Sequence, residues 1–184
     1  MRIIGVSGSL RRGSFNSALL RAAAGLMPEN SGLEIMSIAA VPLYNADVEA
    51  EGGIPEAVTE LKDAIAAADG LLIVTPEYNN SMPGVLKNAV DWLSRPDADI
   101  KRVFGGRRVA IIGASPGRFG TILSQNAWLP VMRTLGANLW SGDRLLVANA
   151  RSVFAEDGRL VDDDIRKRLE RFLQGFVSFC REKA

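Results

Sequence analysis

A chain of 184 residues, 47% hydrophobic and 23% charged, is long enough to bury one substantial core without disulfides or a structural metal, and its composition gives no case for disorder. Twenty-two Lys and Arg against 21 Asp and Glu leave a formal charge of +1, so nothing at whole-chain level points to nucleic acid or an anionic membrane. With no histidine and one cysteine, Cys180, a Ser-His-Asp triad, a Cys-His pair, a His-ligated metal, a CxxC pair and a four-thiolate cluster are all excluded, so redox chemistry requires a bound organic cofactor.

Residues 2–6 are a short β-branched apolar run ending in Ser7 and Gly8, the pattern of a buried parallel strand entering a turn. The run is too short for a signal-peptide core, and no other stretch approaches the roughly 20 apolar residues that span a bilayer. A cytoplasmic protein is therefore expected, with neither membrane nor nucleic acid as partner. Residues 16–26 then carry Ala and Leu at helical spacing. The alternation recurs as strand 33–38, helix 55–68, strand 71–75, helix 84–94, strand 109–113, helix 121–135 and a fifth strand within 138–147. Residues 46–53 and 95–106 read as surface loops. The closing helix is the clearest: Ile165, Leu169, Phe172, Leu173 and Phe176 make one apolar stripe. Asp162, Asp163 and Asp164 stand where an N-cap and the helix dipole favour acids, a reading preferred to a metal site.

No repeat, low-complexity tract or linker interrupts this pattern, which predicts a single domain over residues 1–184 built as a doubly wound α/β sheet. Such sheets take the strand order 2-1-3-4-5 or the six-stranded dinucleotide-binding order, and both bind ligands outside the carboxyl ends of the strands at the switch point.

In the order 2-1-3-4-5, the loops after Val6, Thr75 and Gly113 lie side by side. The first, residues 7–16, offers three serines, two arginines and an asparagine leading into a helix. Backbone N–H groups at a helix start, hydroxyls and arginine together suit a phosphate dianion, with Ser9, Arg11, Ser14 and Asn16 as first candidates. An ordinary turn with a solvated arginine pair is the plain alternative. Gly8 and Gly13 have the spacing of a triphosphate loop, but Ser14 stands where Lys is needed and Phe15 where Ser or Thr would bind magnesium. Gly5, Gly8 and Gly13 do not match GxGxxG, so a monophosphate fits better than either motif.

The second loop, residues 75–84, is stiffened by Pro76 and Pro83 and presents Glu77, Tyr78 and Asn79. These suit the polar edge and face of a flat heteroaromatic ring, or else form a rigid turn whose Tyr78 packs on a neighbour. The third, residues 114–121, is rich in small residues that let a ligand approach the backbone.

Three segments carry a family resemblance: Gly8-Ser9-Leu10-Arg11 with Ser14-Phe15-Asn16; Pro76-Glu77-Tyr78-Asn79-Asn80-Ser81 with Pro83-Gly84-Val85-Leu86-Lys87-Asn88-Ala89 and Asp91-Trp92; and Gly113-Ala114-Ser115-Pro116-Gly117. The chain resembles, over nearly its whole length, the NADPH-dependent FMN reductase family near its quinone and chromate reductase branch, and the second segment is the specific one. The resemblance implies a flavodoxin-like three-layer doubly wound sandwich with a five-stranded parallel sheet of order 2-1-3-4-5. It implies noncovalent FMN, with the phosphate at Ser9, Arg11, Ser14 and Asn16, Phe15 beside them among the cofactor-binding residues, the ring along Pro76, Glu77, Tyr78 and Asn79, and Ser115 and Gly117 near the far edge. It also implies NADPH or NADH as donor and a homodimer or homotetramer with sites near the subunit interface. The helix containing Trp92 would contribute to that interface, although core packing accounts equally for Trp92, and for Trp128 and Trp140.

The implied activity is ping-pong hydride transfer from NAD(P)H through flavin N5 to a small electron acceptor: a quinone, azo compound, chromate or free flavin. No side chain need act as acid or base. The leading alternative is a noncatalytic flavodoxin-type electron carrier, against which the near-neutral charge and the few loop aromatics count. A flavin-free phosphate-sensing module lacks the acids of a receiver domain. Arg118 is a candidate contact for the donor's phosphates, with a solvated role as the alternative.

Overall fold

In the computed structural model, which describes residues 1–182, the sheet is laid out as β2 (Gly32–Met36), β1 (Arg2–Ser7), β3 (Gly70–Val74) and β4 (Arg108–Ala114), with β5 (Asn138–Leu139) beyond β4. Every pairing is parallel, and the order 2-1-3-4-5 is the flavodoxin-like one. The expected fifth strand is split in two, because β6 (Leu146–Val147) pairs separately with the end of β4. Between the halves, Trp140 turns onto the closing helix, its ring centroid 4.6 Å from Phe172 and 5.9 Å from Phe176.

Alternation along the strands explains the layers. Ile3, Leu72, Val74, Ala110 and Ile112 face α1 (Phe15–Gly25) and the closing helix α8 (Asp163–Arg181), whereas Ile4, Val6, Leu71, Ile73 and Val109 face the opposite layer. That layer holds α3 (Glu56–Ala66), α4 (Gly84–Leu93) and α6 (Ile122–Thr134). Trp92 and Trp128 are wholly buried in it, so both are core residues. Burying side chains of this size contributes about 1.5–3 kcal/mol each. The Asp162 side chain accepts the Ile165 N–H at 2.9 Å and caps α8.

The segment read as a loop at 46–53 contains α2 (Ala46–Gly52), a helix with no buried residue. Its support is local: Asn45 caps it, and Glu49 accepts from the Tyr44 hydroxyl at 2.9 Å and pairs with Arg95 at 3.0 Å. The other expected loop, 95–106, holds a single 3-10 turn (Asp97–Asp99) running into α5 (Ile100–Val103). Lys62, 2% exposed, anchors it from α3, reaching Asp99 at 2.5 Å and donating to the Arg95 carbonyl. Arg102, and after it Lys62, holds the Asp99 carboxyl well below the usual aspartate range, at about 2. After β6 the chain forms α7 (Ala150–Val153). Among the described residues no helix is long and apolar enough to cross a membrane.

Candidate functional site

The loops after β1, β3 and β4 meet at the carboxyl ends of these adjacent strands. The Gly8 N–H donates to the Val74 carbonyl at 2.9 Å, tying the first loop to the end of β3. A Cβ on Gly8 would lie 2.8 Å from Leu86 Cδ2 and 3.0 Å from Pro76 Cδ, so the first two loops close on each other only around a glycine. Gly113 is tighter: a Cβ there would fall 2.1 Å from Thr121 Oγ1 and 2.2 Å from the Thr75 carbonyl oxygen.

Ser14 caps α1, its Oγ accepting from the Asn16 and Ser17 N–H groups at 3.2 Å each, which leaves its hydroxyl proton to donate outward. Phe15 stacks on Phe154 with centroids 6.0 Å apart, and the Arg11 guanidinium lies 5.6 Å from the Phe15 ring centroid. The Asn16 carboxamide, buried, donates to the Ala114 carbonyl and accepts the Ala114 N–H, both at 2.9 Å. It braces α1 against the end of β4.

In the second loop, Tyr78 and Ser81 exchange N–H···O bonds at 3.0 Å around Asn79 (φ 49°) and Asn80 (φ 60°), a type I′ turn in which asparagine tolerates the left-handed conformation. Glu77 Oε2 accepts the Leu123 N–H at 2.8 Å and the Ser124 N–H at 3.1 Å, capping α6 where Thr121 makes no side-chain cap bond. Under this loop, buried Thr75 Oγ1 lies 2.8 Å from Ser124 Oγ and accepts from Trp128 Nε1 at 3.1 Å. The third loop is laced to β6 and α7: Ser115 N–H to the Val147 carbonyl at 3.0 Å, Asn149 N–H to the Gly117 carbonyl at 2.9 Å, and Ala150 N–H to the Ser115 carbonyl at 3.0 Å.

A cavity of about 470 Å³ opens between the loops. Ser9, Arg11, Ser14, Phe15 and Asn16 line one end, and Pro76, Glu77, Tyr78 and Ser115 the other. Asn79 and Gly117, singled out with them, lie outside the lining, although their backbone N–H groups, like that of Glu77, have no partner among the described residues. Arg118 is exposed and outside the lining as well. Ala114, Pro116 and Arg151 line the cavity without having been anticipated. Ala114 and Pro116 belong to a motif already noticed, but nothing local marks Arg151, which β6 and α7 carry into place.

The donor set fits the phosphate of FMN. Hydroxyls of Ser9 and Ser14, the start of α1 and two guanidiniums, Arg11 and Arg151, converge, and neither arginine enters any ion pair found among the described residues. The one acid in the lining, Glu77, has its carboxylate engaged by α6. Pro76, Tyr78 and Pro116 give the other end flat apolar surface, and the volume falls within the roughly 300–1,000 Å³ usual for ligand sites. Cys180 takes no part: it packs against Gly70, at the opposite end of β3, and burial pushes its thiol up to about 11.

A family model described as NADPH-dependent FMN reductase matches residues 1–152. An NAD(P)H-dependent FMN reductase of Pseudomonas aeruginosa, PA1204, is 43% identical over 181 residues, covering 98% of this chain and 96% of the relative. A quinone reductase of Escherichia coli K12 is 45% identical over 184 residues, covering 98% and 96%. Among solved structures, the flavoenzyme NAD(P)H:(acceptor) oxidoreductase FerB of Paracoccus denitrificans superposes with a TM-score of 0.86 at 33% identity, covering 97% of this chain and 96% of that one.

Proposed function

Because this chain belongs to the NADPH-dependent FMN reductase family, an FMN-binding, NAD(P)H-dependent family, we propose that it reduces quinone-type small acceptors with electrons from NADPH or NADH, using FMN held between the three loops. The single observation that carries this reading is the cavity itself, with unpaired cationic and hydroxyl donors at one end and flat apolar surface at the other. Bound there, FMN supplies the hydride chemistry that no side chain of the chain can supply.

The residues divide the remaining work. Ser9, Ser14 and Arg11 hold the phosphate, with Arg151 adding charge from α7 and Phe15 fixing Arg11 from below. Pro76 and Tyr78 would lie along the ring and Ser115 near its far edge, and the free N–H of Glu77, a residue of the lining, would donate toward the negative charge of the reduced ring, with those of Asn79 and Gly117 just beyond the lining. Asn16 and Glu77 act through their side chains as positioning residues, one fixing the first loop to β4 and the other the second loop to α6. Tyr78, 49% exposed, stands at the open mouth where donor and acceptor would alternate. A nicotinamide donor accords with a cytoplasmic location.

The exposed apolar side chains support a homodimer, or a homotetramer built on two faces. Leu43, 82% exposed, is held beside α4 because Asn88 bonds both the Pro42 carbonyl and the Tyr44 N–H at 2.8 Å, and Val85 in α4 and Val48 in α2 are exposed as well. Phe119 and Leu123, 78% and 43% exposed, add apolar surface at the start of α6.

Steady-state oxidation of NADPH and NADH by the FMN-loaded protein, with and without a benzoquinone, tests the reading. Saturable quinone-dependent turnover is expected. FMN binding without such turnover would make the protein an electron carrier instead.

A further inference from the structure

A second cavity, about 280 Å³, lies behind the phosphate loop between α1 and residues 151–158, and it shares Ser14, Phe15 and Arg151 with the first. Because it shares these three residues with the first cavity, it opens off that cavity as an annex. Arg12, Arg21 and Arg151 border it, and among the described residues none of the three takes part in an ion pair or a side-chain hydrogen bond. Of the two acids present, Asp157 is held at 2.7 Å by Arg159, while Glu156 is exposed and has no ion pair among the described residues. The balance of free charge is therefore strongly positive. The stacked Phe15 and Phe154 rings and Ala18 supply apolar surface. Past Arg21 and Gly158 the groove continues into a further space of about 350 Å³.

We infer that this annex receives the adenylate half of FAD, so that the protein binds FAD as well as FMN; the inference rests on the phosphate assignment above. FAD is FMN extended through its phosphate. An annex that opens off the phosphate end, carries unpaired arginines and has a free carboxylate suited to ribose hydroxyls matches that extension in both position and chemistry. A nicotinamide donor must meet the other end of the first cavity, at Pro76, Tyr78 and Ser115, and has no comparable reason to run here.

Titration of the flavin-free protein with FMN and FAD, read by flavin fluorescence, tests this in the wild type and in Arg21→Glu. Arg21 is exposed and lies outside the FMN cavity, so the variant should fold. The wild type should bind FAD within about tenfold of FMN, and Arg21→Glu should weaken FAD by about tenfold to a hundredfold while changing FMN by less than about twofold. Tight FMN binding with FAD excluded, or unchanged FAD affinity in the variant, overturns the inference and leaves the proposed function standing. A variant that raises the KM for NADPH and spares FAD assigns the groove to the donor and overturns it too. A wild type that binds neither flavin overturns the proposed function itself.

Discussion

Replacing Asn16 separates bracing from phosphate binding. Its carboxamide makes two 2.9 Å bonds to Ala114 in a site only 4% exposed, so Asn16→Ala leaves a buried N–H and a buried C=O without partners. Leaving one such group unsatisfied costs about 1–3 kcal/mol, and the two share one environment, so a loss of about 2–4 kcal/mol is expected. Asn16→Asp keeps the acceptor for the Ala114 N–H but faces a carboxylate oxygen with the Ala114 carbonyl, and it adds a negative charge beside the phosphate site. It should be at least as unstable as the alanine variant and should bind FMN more weakly. Urea unfolding of the flavin-free proteins at neutral pH gives the stabilities, and fluorescence titration gives the affinities. An alanine variant within about 0.5 kcal/mol of wild type, the range of ordinary surface substitutions, would refute the brace.

Arg11→Ala should weaken FMN binding by about tenfold to a hundredfold, the equivalent of one charge-assisted bond of about 1.5–3 kcal/mol, as measured by the same titration; an unchanged affinity would leave the phosphate to backbone and hydroxyls. Gly113→Ala puts a methyl group 2.1 Å from Thr121 Oγ1 and 2.2 Å from the Thr75 carbonyl oxygen, and should lower stability by about 1–3 kcal/mol in urea while opening the seam between the second and third loops. Asp99 titrates lower in the folded chain, at about 2, than at its ordinary 3.8, so the unfolded chain binds this proton more tightly. Stability from this group is therefore full above about pH 4 and lost as pH falls through about 2, and Asp99→Asn should flatten that part of the wild-type stability profile without changing its shape above pH 5.

The three loops and the alternation of strands and helices were legible in the sequence because each rests on local chemistry: β-branched runs, small residues at strand ends, and serines and arginines before a helix; the residues alone left two strand orders open, and the family resemblance chose between them. The α8 stripe and its Asp162 cap were legible for the same reason. What escaped was set by distant contacts. Helix α2 has no apolar face to mark it and is held by the Glu49 pairings with Tyr44 and Arg95. Glu77 and Asn16, expected as ligand contacts, do line the cavity; that their side chains are also engaged by Leu123, Ser124 and Ala114, partners far along the chain, was not legible. Arg151 reaches the cavity only because the split fifth strand brings α7 back to the third loop. Trp92 sits in an amphipathic helix compatible with core or interface, and only its complete burial decides for the core.

The central claim is that the cavity between the three loops holds FMN by its phosphate. Parallel titrations of the flavin-free protein with FMN and with riboflavin, which differ only in that phosphate, test it most directly. Several charge-assisted bonds should make riboflavin at least about a hundredfold weaker, and protein desalted after incubation with FMN should keep the flavin's visible absorption while protein treated with riboflavin should not. Equal affinity for the two flavins, or a colourless protein after FMN, would contradict the account.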